Sequence, residues 1–82
     1  MALFMDVHEG LHLPAEAVDG LAQGAREKSY DEFGVRQVEL YHNDEQGLAY
    51  CLLEGPDEQA IRDHHAALGV DVGPINEVKT LL

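Results

Sequence analysis

The segment that most restricts the fold is Asn43-Asp44-Glu45-Gln46-Gly47, a run of turn residues between two strand-like stretches. Val35 to His42 precedes it and the strongly apolar Leu48 to Glu54 follows. Gly47 suits a positive φ, and strand, short turn, strand predicts a β-hairpin. A helical pattern lies on either side of this hairpin. Between Pro14 and Phe33, Val18, Leu21, Ala22 and Ala25 fall at i, i+3, i+4 and i+7, one helical stripe. Pro14 is tolerated in the first turn, Glu16 complements the helix dipole, and Gly34 is the expected stop. After the hairpin, Gly55-Pro56-Asp57-Glu58 opens a second helix that Gly69 closes, with Ala60, Ile61, His64 and Leu68 as its inward stripe. Leu3 to His8 and Ile75 to Leu82 read as the first and last strands. The order is β-α-β-β-α-β. It predicts one ferredoxin-like α+β domain over residues 1–82, a four-stranded antiparallel sheet with both helices on one face.

Such a sheet leaves its second face uncovered. Alternation assigns Met5, Val7, Val38, Leu40, Cys51, Leu53 and Val78 to the helix side. Phe4, Asp6, His8, Glu39, Tyr41, Tyr50, Leu52, Glu54 and Glu77 then occupy the other. That mixture is too apolar for a solvent face, which predicts a homodimer closing as a dimeric α+β barrel. Small size points the same way, because a domain of 82 residues has a thin core of its own.

Charge narrows the partners. With 5 Lys+Arg against 16 Asp+Glu the net charge is −11, and no basic cluster exists to hold phosphates. The charge argues against nucleic acid and anionic membrane surfaces, while a cationic partner or a metal ion fits better. A single cysteine, Cys51, forbids an internal disulfide. The first residues carry Asp6, His8 and Glu9 and do not read as a signal peptide, so a cytoplasmic setting is expected.

Three groups could carry chemistry. Asp6 and His8, two apart on a strand, aim a carboxylate and an imidazole to one side, a pair that can hold a divalent ion or be a surface contact. His64 and His65 point about 100° apart on a helix, with His64 toward the sheet. Cys51 lies within reach of His64, as a metal ligand, a nucleophile or a buried small hydrophobe. His12 and His42 read as solvated residues, Tyr41 and Tyr50 as packing residues. The acidic turn lacks the alternating ligands and distant Glu of a calcium loop, and no phosphate-binding glycine loop occurs.

The run Tyr50-Cys51-Leu52-Leu53-Glu54-Gly55-Pro56-Asp57-Glu58-Gln59-Ala60-Ile61-Arg62-Asp63-His64 resembles the YC-x-x-x-x-PDE-x-A-I-R-E-H run of a family of small bacterial, nickel-binding, ferredoxin-like proteins. Phe4-Met5-Asp6-Val7-His8 resembles that family's opening, and Gly69 with Ile75-Asn76-Glu77-Val78 its close. The resemblance implies a homodimer, a divalent metal and no established reaction. Its site residues carry over as Asp6, His8, Tyr41, Cys51, Glu54 and His64. The expected function is non-enzymatic binding of a divalent metal, nickel by resemblance, with zinc or copper compatible with the same ligands. A small dimeric enzyme, or a ligand-binding regulatory module using the open sheet face, is the alternative. By the alternation above, Asp6 and His8 face away from Cys51 and His64, so the set divides between two faces.

Overall fold

The computed structural model describes residues 1–10 and 14–82. The elements follow the expected order: β1 (Ala2–Glu9), α1 (Ala15–Glu27), β2 (Arg36–Asn43), β3 (Leu48–Gly55), α2 (Glu58–Leu68) and β4 (Ile75–Val78). The sheet order is β2-β3-β1-β4, antiparallel throughout, which is the ferredoxin-like α+β arrangement.

Local chemistry explains the boundaries. Asp57 caps α2: its carboxylate accepts the Ala60 amide at 2.8 Å. Gly69 ends α2 in the left-handed conformation at φ 70°, where its amide and that of Val70 reach back to Ala66 and His65. α1 ends earlier than its apolar pattern suggests. Lys28 takes the left-handed cap position at φ 54°, and Tyr30 to Gly34 form a separate turn built on Asp31. β4 stops at Val78, where its pairing to Leu3 of β1 ends.

Pairing fixes the faces of the sheet. Paired residues share a face, so the rows Leu40–Cys51–Asp6–Ile75 and His42–Ala49–His8 lie together, next to Leu53–Phe4. This is the helix side. Phe4, Cys51, Leu53 and Ile75 pack there with Val35 and with Ala60 and Ile61 of α2. Gly55 lets α2 approach closely: a Cβ there would sit 3.0 Å from Ile61 Cδ1 and 3.3 Å from Val35 Cγ2.

The alternation expected for β1 is therefore reversed, and with it that of β4, where Val78 pairs with Leu3 and Glu77 with Phe4. Phe4, Asp6 and His8 face the helices and are buried, while Leu3, Met5 and Val7 lie on the open face and are half-buried. The open face joins them to Leu52, Tyr50, Tyr41, Glu39 and Glu54. The reason is positional. β1 is central, with β3 on one side and β4 on the other, so its helix-side residues are covered whatever their polarity.

Candidate metal centre

Four side chains converge beneath α2. β1 supplies Asp6 and His8, β3 supplies Cys51 directly opposite Asp6, and α2 supplies His65. All four are buried, and one ligand atom from each lies within 4.8 Å of the others. Asp6 has no solvent exposure at all. No other such group of metal-binding side chains occurs among the described residues.

Hydrogen bonds around the site fix which atoms face inward. His8 Nδ1 lies 3.0 Å from the Asp71 carbonyl, and His65 Nδ1 lies 2.8 Å from the Ile61 carbonyl. A carbonyl only accepts, so each Nδ1 carries a proton and donates it. In the neutral imidazole this leaves each Nε2 with a bare lone pair. Both Nε2 atoms lie close to Asp6: His8 Nε2 is 2.7 Å from Oδ1 and His65 Nε2 is 3.4 Å from Oδ2. Neither carboxylate oxygen accepts a hydrogen bond from the described residues. A buried carboxylate thus lies against two Nε2 atoms with no hydrogen bond to either, an arrangement that a cation relieves. A proton between Asp6 and His8 relieves one contact; a metal ion relieves the whole set.

The ionisation behaviour agrees. Burial, followed by the charge of Asp6, pushes the Cys51 thiol up to about 12. Burial also lowers the His65 pKa, against the opposing pull of Ile61 and Asp6, so the ring stays neutral. Neutral imidazoles are ligands, and the thiol becomes one when a metal displaces its proton. The carbonyl partners of both histidines are the usual outer support of metal-bound imidazoles.

Three of the residues expected from sequence enter this cluster: Asp6, His8 and Cys51. Three do not. His64 turns from the core, and its Nδ1 donates to Asp31 Oδ2 at 2.5 Å. Glu54 lies on the open face, accepts the Tyr30 hydroxyl and pairs with Arg36 at 3.7 Å. The Tyr30 hydroxyl, opposed by burial and assisted by Arg36, holds its carboxyl below the usual range. Tyr41 is exposed on the open face beside Tyr50. His65 was the residue missed. Its signal was the helical step from Ile61, since i and i+4 share a face and Ile61 is wholly buried. His42 sits at an exposed strand end with Asp44, as expected, and His12 lies outside the described residues.

A ferredoxin-like domain with a buried carboxylate, thiol and two Nε2 atoms defines a small α+β protein with a candidate metal centre. The chain belongs to the family described as nickel responsive protein SCO4226-like, which it matches over residues 4–78. It is similar to the crystal structure of SCO4226 from Streptomyces coelicolor A3(2), at 27% identity and a TM-score of 0.73, over 99% of this chain and 100% of that one. No curated protein sequence matches it. No helix among the described residues is long and apolar enough to cross a membrane.

Proposed function

We propose that this protein binds a divalent transition metal ion, nickel in preference, through Asp6, His8, Cys51 and His65. The observation that carries the reading is the unpartnered Asp6 carboxylate, wholly buried with the Nε2 atoms of His8 and His65 beside it. The donor set of one carboxylate, two imidazoles and one thiol fits nickel, copper and zinc alike, and calcium or magnesium poorly. Nickel is favoured by the family's description as nickel responsive. Tyr41, Glu54 and His64 fall outside the proposed ligand set, because Tyr41 and Glu54 lie on the opposite sheet face and His64 is engaged by Asp31.

The same reading is of a non-enzymatic homodimer. The open face presents Leu3, Met5, Val7 and Leu52 with Tyr41 and Tyr50 54% and 37% exposed, an apolar surface suited to a second copy. Calorimetry with Ni²⁺ and Zn²⁺ tests the ligands. Wild type binds, Asp6→Ala and His65→Ala lose at least about a hundredfold in affinity, and His64→Ala remains far closer to wild type. Full affinity in folded Asp6→Ala or His65→Ala discards the site. Sedimentation at high concentration tests the dimer independently, and a monomer discards it.

A further inference from the structure

His65 is a ligand candidate on a helix that has little else to hold its C-terminal half. The buried residues of α2 are Ala60, Ile61 and His65. Beyond Ile61, no apolar side chain of the helix reaches the core, and Leu68 is 58% exposed. An apolar stripe normally seats a helix along its whole length. Here a polar tie stands in that position. His64, one residue before the ligand candidate, donates from Nδ1 to Asp31 Oδ2 at 2.5 Å.

Asp31 is a rigid anchor. Its Oδ1 accepts the amides of Phe33 at 2.9 Å and Val35 at 3.0 Å. Its own backbone closes the turn, with its amide bonded to the Val35 carbonyl and its carbonyl to the Gly34 amide. Val35 in turn is buried in the core. The turn before β2 is thus fastened both to the core and to α2. On the helix side, the His64 ring stands edge-on to His65, with centroids 5.3 Å apart and planes at 86°. The His65 ring lies 5.1 Å from His8. A swing of the C-terminal half of α2 would carry His64 and His65 together and move Nε2 away from Asp6.

We infer that the Asp31–His64 pair is the positioning clamp of the metal centre, holding the second half of α2 so that His65 keeps Nε2 on the ion. This deepens the metal-binding reading and rests on it for its function. His64 and Asp31 touch no ligand atom of the proposed ion; they act through His65.

The test uses His64→Ala, which removes the tie and leaves the Asp31 turn intact, and His64→Gln, whose amide can donate to Asp31 again. In metal-free protein, amide exchange at Ala66 to Gly69 accelerates about tenfold in His64→Ala, the loss expected for one charge-assisted hydrogen bond. Exchange at Ala60 and Ile61 stays as in wild type, which separates the effect from general destabilisation. With cobalt(II) as the spectroscopic probe, at saturation, the thiolate and ligand-field bands shift in His64→Ala and return toward wild type in His64→Gln. A role in stability alone would leave the saturated spectrum unmoved. Wild-type exchange in His64→Ala overturns the clamp, and so does a wild-type spectrum in its cobalt-loaded form. If the wild-type protein takes up no cobalt, nickel or zinc, the metal-binding reading fails, and the exchange arm still decides whether the tie holds the helix.

Discussion

Replacing Asp6 with asparagine separates the needs of the fold from those of the site. The metal-free protein carries a wholly buried carboxylate whose oxygens accept no hydrogen bond and lie 2.7 and 3.4 Å from the Nε2 atoms of His8 and His65. Asparagine has nearly the same shape, and its amide can donate to His8 Nε2 across the same contact. A buried polar group left without a partner costs about 1–3 kcal/mol. Supplying the missing hydrogen while removing a buried charge should therefore stabilise metal-free protein by about 1–2 kcal/mol. For a domain of this size each kcal/mol moves Tm by about 4–8 °C, so the expected rise is on the order of 5–15 °C. The same substitution removes the anionic ligand, and the rise in Tm that saturating Ni²⁺ gives the wild type should disappear. Thermal melts of chelator-treated wild type and Asp6→Asn, each repeated with excess metal, read both effects. The opposite result is informative. If Asp6 and His8 form a stable buried ion pair, Asp6→Asn leaves a charged imidazole unpaired and costs about 3–5 kcal/mol. A large fall in the Tm of metal-free protein, or metal stabilisation surviving in the variant, would refute the reasoning.

Other consequences follow from the same geometry. With its pKa pushed up to about 12 from 9.0, Cys51 in metal-free protein should have a thiolate fraction about a thousandfold below an ordinary thiol near pH 7.5. Its reaction with a disulfide reagent should be correspondingly slow, and an ordinary rate would contradict the burial argument. Because an ion must displace that thiol proton, metal affinity should rise about tenfold per pH unit between pH 7 and 9; calorimetry in buffers of different ionisation enthalpy should find about one proton released per ion, and a flat profile would exclude Cys51 as a ligand. His65 has a folded pKa below its ordinary 6.5, so the unfolded chain takes the proton first and metal-free protein should lose stability as pH falls through about 6.5. Denaturant melts from pH 7.5 to 5 check the sign. Gly55→Ala should destabilise by about 1–3 kcal/mol, since the added Cβ meets Ile61 Cδ1 at 3.0 Å; an unchanged denaturation midpoint would show that Ile61 yields freely.

The hairpin, both helices and the order of the elements were legible because each rests on local chemistry: turn residues at 43–47, the Gly55-Pro56-Asp57-Glu58 opening, a Gly69 stop. The orientation of β1 was not. Leu3, Met5 and Val7 form the more apolar set, and the transfer of apolar area to the core favours them inside. The structure instead buries Phe4, Asp6 and His8. A rule based on hydrophobicity fails at a strand whose inward polar groups serve a site, which is where local and global preferences are expected to conflict. The same reversal joins what alternation had divided, because Asp6 comes opposite Cys51 in the pairing of β1 with β3. For the two adjacent histidines, the choice turned on a single helical step. Counting from Ile61 by four selects His65, whereas extending the stripe to Leu68 selects His64, and Leu68 proves exposed. The resemblance at the level of the PDE helix located the right turn of α2 without distinguishing these neighbours.

The position of the cluster also changes what the small core means. Leu53 and Ile61 are wholly buried, and Asp6, equally inaccessible, lies among the few residues that fill the space between sheet and α2. In a domain of 82 residues, a buried site of four polar or ionisable groups takes a large share of the available interior. Apolar residues there would stabilise the fold outright. The Asp6 carboxylate, which accepts no hydrogen bond, would do so only with a cation to balance it. On the proposed reading, metal binding and the stability of the α2–sheet contact are therefore one equilibrium. The net charge of −11 contributes little to this directly. Of the acids counted in it, Asp6 alone enters the cluster, while Glu39 and Glu54 lie on the opposite sheet face. The acidity therefore describes the protein surface, and the candidate metal chemistry depends on a single buried carboxylate and the two imidazoles beside it.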